Sequence, residues 1–162
     1  MITMSRPQLI LFAAAGSAAL LAGAFAFQYI GGLAPCHLCL LQRYPHGAAV
    51  ALGMLALLIP AGLIGRMLPW AGALAALTSA GYGVYHTGVE RLWWPGPDTC
   101  TSGNILDLTL KLSAKDLLAT LQGTDVVLCD KVAWEMLGLS MASWNMLASL
   151  VLVMIWIRAA RA

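Results

Sequence analysis

Charge is what this sequence has least of. Of its 162 residues, nine are Lys or Arg and seven are Asp or Glu, 10% of the chain, while 60% are hydrophobic. A soluble domain of ordinary composition carries about 25% charged and about 45–50% apolar residues. The mean hydropathy of +0.81 therefore makes a bilayer the expected solvent. Disorder is excluded, because chains that stay unfolded are poor in hydrophobes. A nucleic-acid partner is not expected either: the bases are scattered and form no dense patch, whatever the isoelectric point near 8.4 suggests. Acids are missing altogether outside residues 90–135, and no repeat or low-complexity segment interrupts the chain.

The places without charge define the elements. No charged residue lies between Arg6 and Arg43, and Leu9 to Phe27 is almost wholly apolar. Further charge-free windows run from Tyr44 to Gly65, Met67 to Val89 and Met136 to Ile157. Each can cross about 30 Å of hydrocarbon as a helix, which takes about 20 residues. Gly53, Pro60 and Gly81 inside these windows are tolerated in membrane helices, where neighbouring helices satisfy freed backbone groups. The expected fold is all-α: one integral membrane domain over 1–162, with transmembrane helices at about 9–28, 44–64, 67–88 and 137–157. Loops at about 29–43 and 89–136 join them. A cleavable signal peptide competes for the N-terminus, since Ala24-Phe25-Ala26 has the small-x-small form, but the apolar run exceeds the usual signal core of about 7–15 residues.

Charge sign orients the bundle. Arg6, Arg66, Arg158 and Arg161 mark the two termini and the turn between the second and third spans as cytoplasmic. The segment from Glu90 to Glu135 holds all seven acids and only four bases, so it belongs on the opposite side with the first loop. Trp93, Trp94, Pro95 and Pro97 make a stiff aromatic entry to the long loop, suited to the membrane interface. Further along, Ser113 and Asp116 have near-capping-box spacing ahead of Leu117, Leu118 and Leu121, which predicts a short amphipathic helix lying on the membrane.

All four cysteines fall in the two outward loops and none in a span. Cys36 and Cys39 form a CxxC; Cys100 and Cys129 lie in the long loop. Disulfides persist on that side of the membrane. The four could be structural staples. A zinc site is the weaker alternative, because Cys100 and Cys129 are too far apart to form a second close ligand pair, and no metal is expected. Covalent haem is excluded by Leu40 where a histidine is needed. A redox use has a physical basis: a CxxC disulfide closes a very small ring and is easily reduced and reformed. Pro35 suits a first helical turn, whose positive end favours thiolate. Arg43 follows Cys39 by four residues, one helical turn on the same face, where it either holds a thiolate beside an electron-rich oxygen or snorkels to the interface.

The run QYIGGLAPCHLCLLQR from Gln28 to Arg43 resembles the disulfide bond formation protein B (DsbB) family of bacterial inner-membrane thiol oxidases. His86 near the end of the third span, Cys100 and Cys129 in the acidic loop, Trp134, and LGLSMASWN opening the fourth span follow in the same order. Vitamin K epoxide reductase relatives share the chemistry but carry CxxC late in the bundle. The resemblance implies four catalytic cysteines, disulfides Cys36–Cys39 and Cys100–Cys129, and a quinone, ubiquinone or menaquinone, as electron acceptor. The implied partner is a periplasmic thioredoxin-like (DsbA-like) thiol oxidase. It attacks Cys100; Cys129 then attacks Cys36, and Cys39 is left as the thiolate facing the quinone. Arg43, Gln28 and His86 are implied at the quinone site, with Gln28 offering an amide to a carbonyl and His86 a proton. Residue-level alternatives stay open for Gln28 and His86, as a helix-end amide and an interface histidine. His37 and His46 are expected on the surface. Pro45 either kinks the second helix or leaves Cys39 and Arg43 in a separate turn. The rival functions are an oxidase dedicated to one specialised partner, and a non-enzymatic four-helix scaffold or metal-binding protein with structural disulfides.

Overall fold

The computed structural model describes residues 4–60, 62–97 and 128–162. Cys100 and the amphipathic helix expected around Ser113 to Leu121 lie outside the described residues. Within them the chain forms four long helices: α1 (Arg6–Tyr29), α2 (His37–Leu58), α3 (Leu63–Glu90) and α4 (Met141–Arg161). A two-residue antiparallel ladder, β1 (Glu135–Met136) with β2 (Leu139–Ser140), precedes α4. α1 packs on α2 and α4, and α3 packs on α2 and α4, so the helices ring a common interior. The short α2–α3 link makes those neighbours antiparallel. Arg6 closes one end by donating to the carbonyl of Gly65.

Helix boundaries follow local chemistry and differ from the hydropathy windows. α2 starts at His37 and not near 44, because Cys36 caps it: the Cys36 backbone is extended and its sulfur accepts the Cys39 N–H at 3.2 Å. Pro35 thus stands ahead of the cap, outside the first turn. Pro45 lies inside a continuous α2, so Cys39 and Arg43 share one helix with the span. α2 ends at Leu58, shortly before Pro60, where the window ran on to 64. α4 starts at Met141 and not at 137, because Leu137 and Gly138 form the tip of the hairpin with φ of 56° and 74°. Positive φ at both central residues is the geometry of a two-residue hairpin turn. Ser140 then caps α4 by accepting from the Ser143 N–H at 3.2 Å.

The interior is built from small and polar residues. Ala13, Ala49, Ala76 and Ala159 are buried around Trp156, and Ser17, Ser79, Ser143 and Ser149 are buried with them. A Cβ on Gly72 would come within 2.7 Å of the Trp156 ring, so glycine is required for α3 to pass it. Large apolar residues point outward instead: Phe12, Leu58, Leu63, Ile64, Met67, Leu74 and Met154 are all exposed. Small residues at helix contacts with apolar side chains outside are the pattern of helices packed in lipid. α1 and α4 are long and apolar enough to cross a membrane.

Candidate active site

Capping puts the CxxC at the mouth of the bundle. Cys36 Sγ and Cys39 Sγ are 2.7 Å apart, both as thiols. Cys36 is 5% exposed and Cys129 fully buried, and the two pack in one apolar cluster with Leu38 and Val89. Two loops far apart in sequence therefore deliver three of the four expected cysteines to one spot. His86, a turn before the end of α3, brings Nε2 to 3.5 Å from Cys36 Sγ and also reaches the main chain of Cys129. Glu90 Oε1 lies 3.8 Å from the same nitrogen.

The two thiols are not equivalent. Both stand ahead of the apolar stretch that begins at Tyr44. The hydrogen bond to Cys39, helped by burial, holds the Cys36 pKa above the usual thiol range, so Cys36 keeps its proton. Cys39 goes the other way, chiefly because the Cys36 side chain donates to it, then through the Cys36 main chain and to a smaller extent because Arg43 is near, against the opposing effects of burial and Glu90. Cys39 is thus the favoured thiolate of the pair.

A cavity of about 350 Å³ opens beside Cys39. Its walls are apolar, from Leu20, Gly23, Ala24, Phe27 and Ala148, and its polar lining includes Cys39, Arg43, Gln42 and His86. Trp134 also lines it and lies 5.1 Å from Phe27, ring centre to ring centre. This order of elements, CxxC on the second helix, a histidine ending the third and a further cysteine before the fourth, decides the comparison. The family model described as Disulfide bond formation protein DsbB matches residues 6–159. The chain belongs to the disulfide bond formation protein B family. Disulfide bond formation protein B of Methylococcus capsulatus is 38% identical over 135 residues, 82% of this chain and 80% of that one. The protein of that name from Dechloromonas aromatica is 32% identical over 82% of this chain and 78% of its own. That of Albidiferax ferrireducens is 30% identical over 93% of this chain and 87% of its own. No solved structure matches. As a family member with two helices fit to cross a bilayer, this is a membrane-bound disulfide bond formation protein.

The remaining expected site residues fall as follows. Arg43 does not reach freely into the cavity: it donates to Gln28 Oε1 and, at 3.3 Å, to the Ala24 carbonyl, and its guanidinium lies 5.1 Å from the Phe25 ring centre. Gln28 stands behind Arg43, outside the cavity lining, and anchors it to α1. His37 is exposed, as the sequence suggested, but His46 is 2% exposed, which corrects its expected surface position. Asn145, Ser79 and Ser149 from two other helices give its Nε2 polar partners in the interior, at 3.0, 3.0 and 3.4 Å. Gln42 and Asn145, joined at 2.8 Å, belong to the same polar core and were not foreseen. Cys36, Cys39 and His86 have ligand atoms within 4.8 Å of one another, the spacing of a three-ligand metal group; a closed zinc site takes four ligands.

Proposed function

We propose that the protein is a quinone-dependent thiol oxidase that re-oxidises a periplasmic thioredoxin-like (DsbA-like) dithiol protein. The observation that carries this reading is the convergence of buried Cys36, Cys129 and His86 with half-buried Cys39 at the edge of an apolar cavity that Arg43 lines. In the resting enzyme Cys36 pairs with Cys39 and Cys100 with Cys129. The partner's thiolate attacks Cys100, and the bond between Cys100 and Cys129 breaks with its electron pair on Cys129. Cys129 attacks Cys36, forming one S–S bond and breaking another, and the pair passes to Cys39. Each step needs a good leaving thiolate, and in the second the lowered pKa of Cys39 provides it.

The cavity fits a flat apolar ring bearing carbonyl oxygens: its walls are aliphatic and aromatic, and a guanidinium lies among its polar lining. Arg43, with Gln28 behind it, would hold such a ring, and Trp134 and Phe27 would shield it from water. A bound ubiquinone or menaquinone supplies the two-electron acceptor. His86 would keep a donor N–H at the cysteine end of the cavity.

The protein sits in the bacterial inner membrane as four spans. Both termini and Arg66 are cytoplasmic, and the cysteine loops, with a short amphipathic helix in the longer one, are periplasmic. The outward-facing Leu, Ile and Met residues on α2 and α3 support spans there as well as at α1 and α4.

Purified protein in lipid nanodiscs, given a reduced thioredoxin-like partner, should reduce a soluble ubiquinone analogue. Cys36→Ala and Cys100→Ala should each abolish turnover; persistence of turnover in either variant overturns the relay.

A further inference from the structure

Amide oxygen and nitrogen are told apart by their partners, and here the partners leave one assignment. Gln42 Nε2 lies 3.1 Å from the main-chain oxygen of Leu38, which can only accept, so that atom is the NH₂ group. The Gln42 Oε1 must then accept, and Asn145 Nδ2 donates to it at 2.8 Å. Asn145 in turn accepts through Oδ1 from His46 Nε2 at 3.0 Å. Ser79 ties the group together: its hydroxyl donates to the Gln42 main-chain oxygen at 3.1 Å and accepts from Asn145 Nδ2 at 3.2 Å. Gln42 cannot rotate its amide without placing two acceptors face to face at Leu38 and two donors face to face at Asn145.

The other hydrogen on Gln42 Nε2 points at His86 Nδ1, 2.8 Å away. An NH₂ group needs an acceptor there, so Nδ1 is the unprotonated nitrogen and the ring proton sits on Nε2. The N–H side of the ring faces Cys36 Sγ at 3.5 Å, Glu90 Oε1 at 3.8 Å and the main chain of Cys129, all acceptors.

We propose that Gln42, held by Leu38 and Asn145, is a positioning residue that locks His86 as the Nε2–H tautomer, so that the imidazole donates to the Cys36 sulfur during exchange with Cys129. This deepens the oxidase reading and rests on it. In that step the Cys129 thiolate brings an electron pair to Cys36, the Cys36–Cys39 bond breaks, and the pair leaves on Cys39. No proton is transferred; the neutral imidazole keeps its proton, and its hydrogen bond holds the Cys36 sulfur in place while the charge passes from Cys129 to Cys39.

The test is nitrogen NMR of protein labelled at the histidine ring nitrogens, in nanodiscs, with the His86 signals identified by their loss in His86→Asn. The proton is expected on Nε2 in the wild type. Gln42→Glu replaces the donor by an acceptor and is expected to put a proton on Nδ1. It should also slow quinone-free interchange from Cys129 to Cys36, followed by alkylation and mass analysis, about fivefold, the loss of one neutral hydrogen bond that positions the attacked sulfur. Gln42→Met keeps the side-chain length without polarity and should leave both tautomers in exchange, which provides a readout if the Glu variant folds poorly. A wild-type proton on Nδ1, or an Nε2–H tautomer that persists in the Glu and Met variants, overturns the lock. If the tautomer responds as expected but no quinone is reduced, the oxidase reading fails and the lock stands.

Discussion

Arg43 donates to α1 at Gln28 and Ala24, and acts on Cys39 from one helical turn away as a charge. In the reduced protein Cys39 should therefore react with iodoacetamide at lower pH than an ordinary thiol, whose pKa is about 8.5. The thiolate is the reactive form, so a lowered pKa moves the alkylation midpoint down; Cys36, shifted upward, should alkylate only above the ordinary midpoint. Arg43→Leu should move the Cys39 midpoint up, and Arg43→Lys should recover part of the shift. An unchanged Cys39 profile in Arg43→Leu would remove the arginine from this role. That Cys36, Cys39 and Arg43 come together was readable from the sequence because cysteine and charge are rare in this chain and their spacing is local. His46, Gln42 and Asn145 were not. A polar residue inside an apolar window reveals nothing of which way it faces until the neighbouring helices are placed.

At the level of elements, the packing of α3 and α4 depends on one large side chain set against glycine. Trp156 is fully buried, and Gly72 on α3 and Gly53 on α2 both lie against it. Gly72→Val should cost about 1–3 kcal/mol, the usual penalty of overpacking, seen as a lower unfolding temperature in detergent; no loss of stability would mean that the ring can move aside. The hairpin before α4 carries its own strain. Leu137 holds φ of 56°, where a side chain is crowded, and Leu137→Gly should be tolerated or slightly stabilising. Hydropathy located four helical segments but placed their ends poorly. The start of α2 is set by a sulfur cap, its end comes just before a proline, and the start of α4 is set by a hairpin and a serine. None of these changes the local hydropathy.

For the whole molecule, polarity runs inside out: histidine, glutamine and serine lie at the centre, and leucine and methionine at the rim. The proposed orientation follows from arginine placement and can be measured. A cysteine introduced at Leu137 in a background without native cysteines should react with a membrane-impermeant maleimide from the periplasmic side of spheroplasts, and one at Ala162 only after lysis. The reverse pattern would invert the topology. The burial of Cys129 beside Cys36 has another consequence. A conductor passing through a medium full of small reductants needs insulation, and here the inner junction is sheathed by Leu38 and Val89. In the proposed relay, glutathione should drain electrons into it far more slowly than a folded protein partner entering through the outer pair, so that such a circuit would leak little even where free thiols are abundant.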